Sequence, residues 1–234
     1  MEAQELPINE HAEANRDTRR SIKNDRFTKL QGILLIVGTL LVSLTAGYFI
    51  SDKFLWTDGE DNRLTQQVEY YKSLVSKEPN NTENRVNLGY SYHLVGKEED
   101  AVKQLLLAID MDKENVSAYF NLGLVYNDQK RYDDALKQSK KVNELAPRDF
   151  KGYLLQGMVY RELKMYDDAI TSLNEANKLM PANTDIIFEI GRVAEDQGKV
   201  KEAEEMYKQA LNYDPLFKPA SEALNRLAKT EKES

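Results

Sequence analysis

Cysteine is absent from the 234 residues. That removes disulfides, thiolate nucleophiles, zinc–thiolate sites and iron–sulfur clusters together. Histidine is nearly absent, with only His11 and His93, so a multi-histidine metal site is excluded. Glycine and proline together number 17, too few for a collagen or a flexible low-complexity chain. Excess positive charge is also missing. There are 32 basic residues against 39 acidic ones, a net −7, which argues against a general nucleic-acid binder. Glycine-rich phosphate loops are not found. No cofactor and no metal are expected. With 30% charged residues, the chain reads as helical and non-catalytic.

The charge is unevenly placed. From Leu30 to Ser51 no residue is charged. As a helix this stretch is roughly 33 Å long, enough for a hydrocarbon core of about 30 Å. A cleaved signal peptide would have a shorter apolar region, of about 7–15 residues, behind a short basic start. An uncleaved transmembrane helix over 30–51 is therefore expected. Before it stand Arg16, Arg19, Arg20, Lys23, Arg26 and Lys29; after it, only Lys53 and Arg63 are near. The positive-inside rule places residues 1–29 in the cytoplasm, as a largely disordered tail, and the C-terminal region outside. A linker is expected over 52–60.

Beyond the linker the chain repeats itself. Gly89, Gly123, Gly157 and Gly191 are equally spaced, and so are Ala101, Ala135, Ala169 and Ala203. Tyr92, Tyr126 and Tyr160 keep the same 34-residue period, as do Pro147, Pro181 and Pro215. Several residue types in one register signal a repeat architecture. Glycine inside a helix costs about 1 kcal/mol against alanine, so the glycines and alanines point to close helix–helix approach. The prolines end the second helix of each repeat. Carboxylates recur at the starts of second helices (Glu98-Glu99-Asp100, Asp133-Asp134, Asp167-Asp168). Their recurrence fits the helix dipole rather than catalysis.

These residues resemble the tetratricopeptide repeat. The second repeat reads Tyr119, Leu122-Gly123, Tyr126, Ala135, Ser139, Val142, Pro147; the third reads Tyr153, Gly157, Tyr160, Ala169, Leu173, Ala176, Pro181. The first departs, with Arg85 in the aromatic slot and Lys113 in the proline slot. The resemblance implies an all-α fold, a right-handed solenoid of helical hairpins. Its expected parts are a half repeat at 61–79, repeats at 82–115, 116–149, 150–183 and 184–217, and a capping helix at 218–230.

The resemblance also implies that first helices line a concave groove. Its ligand-facing slots correspond to Val86, Tyr90, Phe120, Leu124, Asn127, Leu154, Met158, Arg161, Phe188 and Arg192. Most are apolar or aromatic, and an exposed apolar stripe marks a partner surface. The clamp that one form of the family uses for a C-terminal carboxylate would need Lys, Asn, Asn, Lys and Arg. The chain has Val86, Tyr90, Asn121, Lys151 and Leu155 in those slots, so it is not expected here. Protein or peptide segments are the expected partners, without nucleic acid or metal.

The layout is similar to that of bacterial single-span tetratricopeptide proteins. The implied function is a non-enzymatic scaffold, anchored in the cell membrane with its repeats extracytoplasmic, that handles or assembles exported proteins. The alternative is a structural subunit of a surface or envelope assembly, pilus-like or within cytochrome c maturation machinery.

Overall fold

The computed structural model describes residues 37–40, 42, 43, 45 and 57–233. The chain divides into two units, Met1–Gly59 and Glu60–Ser234. In the first unit, residues 37–40, 42, 43 and 45 are helical and exposed. The Ser43 hydroxyl donates to the Thr39 carbonyl within that helix. The rest of the proposed 30–51 span, the 1–29 tail and residues 52–56 lie outside the described residues. Among the described residues, no helix is long and apolar enough to cross a membrane.

Among the described residues the second unit is helical, and its first helix starts three residues before the unit boundary. Its helices are α1 (Thr57–Lys77), α2 (Thr82–Leu94), α3 (Glu98–Met111), α4 (Val116–Asp128), α5 (Tyr132–Leu145), α6 (Lys151–Glu162), α7 (Tyr166–Leu179), α8 (Thr184–Asp196), α9 (Val200–Tyr213) and α10 (Lys218–Glu233). Two boundaries differ from the sequence expectation. Helix α1 begins at Thr57, inside the stretch assigned to the linker, and α10 runs three residues past 230.

Each helix end has a local cause. Asn81, Asn115 and Asn183 cap α2, α4 and α8 by accepting from the amides of Asn84, Ala118 and Ile186. In the third repeat Asp149 holds this slot but accepts from the Lys151 amide, and α6 starts one residue later in the register. Second helices stop two residues before Pro147, Pro181 and Pro215. The first repeat lacks that proline, yet α3 stops at the same register position. There the Asp112 carboxylate accepts from the Glu114 amide and forms a side-chain-closed turn.

Within each hairpin, one turn residue is left-handed: Gly96, Lys130, Lys164 and Gly198, with φ between 59° and 75°. Glycine takes this conformation freely, whereas the two lysines carry a cost of about 1–2 kcal/mol.

The pattern of packing gives the array its curvature. First and second helices pair within each repeat, and each second helix packs on the next first helix. First helices also pack against one another, as α2 on α4, α4 on α6 and α6 on α8, while second helices do not pair in this way. The first helices therefore line the inner face.

Small residues permit the approach. A Cβ on Gly89 would lie 2.7 Å from Leu105 Cγ, and one on Gly157 would lie 2.5 Å from Leu173 Cγ. On Gly123 it would lie 2.2 Å from Cδ2 of Leu155, which belongs to the next repeat. Ala101, Ala135, Ala169 and Ala203 are fully buried opposite.

At the N-terminal end, α1 buries Val68, and in the turn that follows it the Pro79 carbonyl accepts from Arg85 of α2 at 2.9 Å. At the other end, Ala220, Ala223 and Leu227 of α10 cover the apolar face of the fourth repeat.

Candidate partner-binding groove

The inner face can be read by register. Val86, Phe120, Leu154 and Phe188 occupy one position in four successive repeats. Tyr90, Leu124, Met158 and Arg192 occupy the next, and His93, Asn127, Arg161 and Glu195 the third.

The structure separates the ten sequence-predicted residues into two groups. Val86, Asn127, Leu154 and Arg161 are buried, while Tyr90, Phe120, Leu124, Met158, Phe188 and Arg192 keep surface in solvent. Val86 and Leu154 belong to the cores of their repeats, because adjacent helices cover their short aliphatic chains. The larger Phe120 ring packs on the core and remains partly exposed. The Phe188 ring is engaged from three sides: by Tyr207 at 5.3 Å, by Phe217 at 5.6 Å and by the Arg192 guanidinium at 5.9 Å.

In repeats three and four the groove floor is ionic. Arg161, 7% exposed, donates to Asp196 at 2.7 Å and to Glu189 at 3.3 Å, and also pairs with Glu162. Arg192 donates to the other oxygen of Glu189 at 2.8 Å. Burial works against the Arg161 charge, but Glu189, Asp196 and Glu162 outweigh it and hold the guanidinium proton above its ordinary affinity.

A second cluster adjoins it. Glu195 accepts from Arg226 of α10 at 2.8 Å and from the Tyr207 hydroxyl at 2.5 Å. Burial alone would raise the Glu195 carboxyl, yet the hydrogen bonds from Arg226 and Tyr207 hold it below the usual carboxylate range. Burial, then the bond to Glu195, push the Tyr207 phenol well up. These charges satisfy one another, which leaves few of them to grip a ligand's charge.

Among the described residues, repeats one and two have no such network. His93 lies between Glu98 and Asp128, at 3.4 Å from each. Asn127 is buried, and its side-chain oxygen has no hydrogen-bond partner among the described residues. The solvent-reaching residues here are Tyr90, Phe120 and Leu124, with Met158 continuing the Tyr90 register into the third repeat.

Glu189, Tyr207 and Arg226 were not among the groove residues that the sequence pointed to. A signal for Glu189 existed. Its register position holds Asn87, Asn121 and Leu155 in the earlier repeats, so a carboxylate there was out of pattern.

A curved stack of helical hairpins with an inner surface built from first helices belongs to the class of α-solenoid repeat proteins. The comparisons narrow this. Residues 116–149 and 160–227 match family models described as tetratricopeptide repeat, and residues 89–130 match one described as TPR repeat. The chain is a tetratricopeptide repeat protein of the protein-interaction scaffold type; such proteins are typically not enzymes.

Solved structures agree on the fold. TTC0263, a thermophilic TPR protein of Thermus thermophilus, is 18% identical with a TM-score of 0.66, over 71% of this chain and 91% of its own. A chain of the APC/C hetero-tetramer Cut9–Hcn1 is 19% identical with a TM-score of 0.64, over 75% of this chain and 35% of its own. MamA residues 41 to the end, from Desulfovibrio magneticus RS-1, is 20% identical with a TM-score of 0.51, over 68% and 90%. At these identities the likeness is one of fold. No curated protein matches the sequence significantly.

Proposed function

We propose that this protein is a membrane-anchored scaffold that holds an apolar or amphipathic protein segment in the N-terminal half of its inner groove. The observation that carries the reading is the contrast inside the groove. Tyr90, Phe120, Leu124 and Met158 reach solvent, while the charges of repeats three and four are paired among themselves. Apolar and aromatic surface in a concave site favours an apolar partner segment. The uncharged 30–51 segment and its basic N-terminal flank support an anchor with the repeats on the extracytoplasmic side, where the scaffold would handle or assemble exported proteins. No catalytic role is assigned.

Phe120→Asp with Leu124→Asp tests the groove. Both side chains are partly exposed, so folding is expected to survive, as circular dichroism will report. Loss of photo-crosslinked partners from the full-length protein is the expected result, and unchanged capture overturns the groove as the site. Protease protection on intact cells and spheroplasts tests the anchor. Repeats digested from outside support the topology; digestion only after lysis overturns it.

A further inference from the structure

The outer face of the first repeat departs from that of the other three. Beyond its first turn, where Glu99 and Asp100 are exposed, the exposed side chains of α3 are Lys103, Leu106, Leu107, Asp110 and Met111, with Leu106 43% and Leu107 38% exposed. The register positions of the two leucines are polar in the other repeats, whereas that of Met111 stays apolar or aromatic in all of them, as Leu145, Leu179 and Tyr213. In place of the two leucines stand Lys140 and Lys141, then Asn174 and Glu175, then Lys208 and Gln209. A solvated helix face has no need of adjacent leucines, and contiguous exposed apolar surface marks an interaction site.

The order of charges along this face identifies the partner. Lys103 precedes the leucines by three residues and Asp110 follows them by three. A second α3 laid antiparallel about a two-fold axis between Leu106 and Leu107 sets leucine on leucine and each Lys103 against the other chain's Asp110. The same axis sets Asp100 against Lys113, which already pairs with Asp110 of its own chain at 2.7 Å, and Val102 against Met111. Glu99 falls opposite the partner's Glu114, a like-charge pair at the rim, where both side chains are exposed and screened by solvent. A face that complements itself on reversal is the signature of an isologous contact, in which one patch serves both subunits. We propose that the outer face of α3 is a homodimer interface, occupied by the α3 of a second copy. Because α3 is a second helix, this contact leaves both inner grooves open.

One helix face is at the small end of interface sizes, so the dimer is weak and forms in a concentration-dependent way. The chain has no cysteine, so one introduced thiol reports its own surroundings. The test uses the full-length protein in mild detergent under oxidising conditions. Leu106→Cys, beside the axis, is expected to form an intermolecular disulfide at least about tenfold faster than Lys208→Cys at the same register of the fourth repeat. Equal rates overturn the proposal, as does a dimer that never crosslinks through position 106, since it would be held elsewhere, for example by residues 30–51.

Charge reversal gives the second arm. Lys103→Glu places like charges against Asp110 of the other chain and is expected to weaken dimerisation about tenfold or more. Lys103→Glu with Asp110→Lys restores the pairing and is expected to restore the dimer. Failure of the double variant to rescue, with its helicity intact, overturns the antiparallel arrangement.

Discussion

The two halves of the inner groove share a backbone and use it differently. One cross-repeat contact shows this at matching register. Between repeats one and two, His93 meets Asp128 at 3.4 Å; between repeats three and four, Arg161 meets Asp196 at 2.7 Å. Histidine is charged only when protonated, whereas arginine is always charged and offers five donors. The C-terminal junction can therefore build a network around Arg161, and the N-terminal junction cannot. The side whose polar groups are already satisfied is structural. The side whose apolar groups reach solvent is the one to which the proposed function assigns a partner. Register alone does not separate the two roles; occupancy does.

The sharpest way to break this comparison is at its centre. Arg161→Ala leaves Glu189 buried with one of its cations gone, and breaking a buried pair in this way costs about 3–5 kcal/mol. The low end is expected because Arg192 still reaches Glu189. Urea unfolding followed by circular dichroism should show a lower midpoint. Replacing Arg161 and Glu189 together by leucine should recover most of the loss. At the matching position of the second repeat, Asn127→Leu should be neutral or stabilising, because it removes an unpartnered buried oxygen. Equal losses at Arg161 and Asn127 would erase the distinction between the halves.

A smaller effect is expected where the halves meet. Gly123→Ala drives a methyl group to 2.2 Å from Leu155 of the third repeat. Overpacking of this kind costs about 1–3 kcal/mol, against which alanine's helix preference returns up to about 1. A net fall in the urea midpoint is expected, and no change would mean that the junction has slack.

The smallest effect concerns acid. The Glu195 carboxyl is held below its usual range in the folded state, so folding favours its charged form. The stabilisation it brings is present above the unfolded carboxyl's range, near pH 4.3, and is lost as pH falls through the lower folded value. With Arg226 more than half exposed, under about 1 kcal/mol is expected. Arg226→Met should flatten the part of the stability–pH curve below about pH 4.5 that comes from Glu195. A curve as steep as that of the parent protein would remove Glu195 from the account.

Much of the fold was legible because period and packing are one fact here. A glycine every 34 residues demands a close neighbour, and Leu105, Leu155, Leu173 and Tyr207 supply it at Gly89, Gly123, Gly157 and Gly191. The groove was legible only as a set of slots. Val86 and Leu154 share their register with Phe120 and Phe188, and nothing in the spacing says which of them stays exposed. Exposure depends on side-chain size and on what the neighbouring repeat brings against it.

The sequence by itself determined the helical hairpins, their number and their order, since these follow from local caps, turns and a repeated apolar pattern. Tertiary structure alone decided which polar groups are occupied. Arg161, Glu189 and Asp196 lie 28 and 35 residues apart along the chain and meet only when the third and fourth repeats stack. The leucines of α3 show the same division. The sequence placed them on one face of a helix, and the stacking of the repeats left that face uncovered.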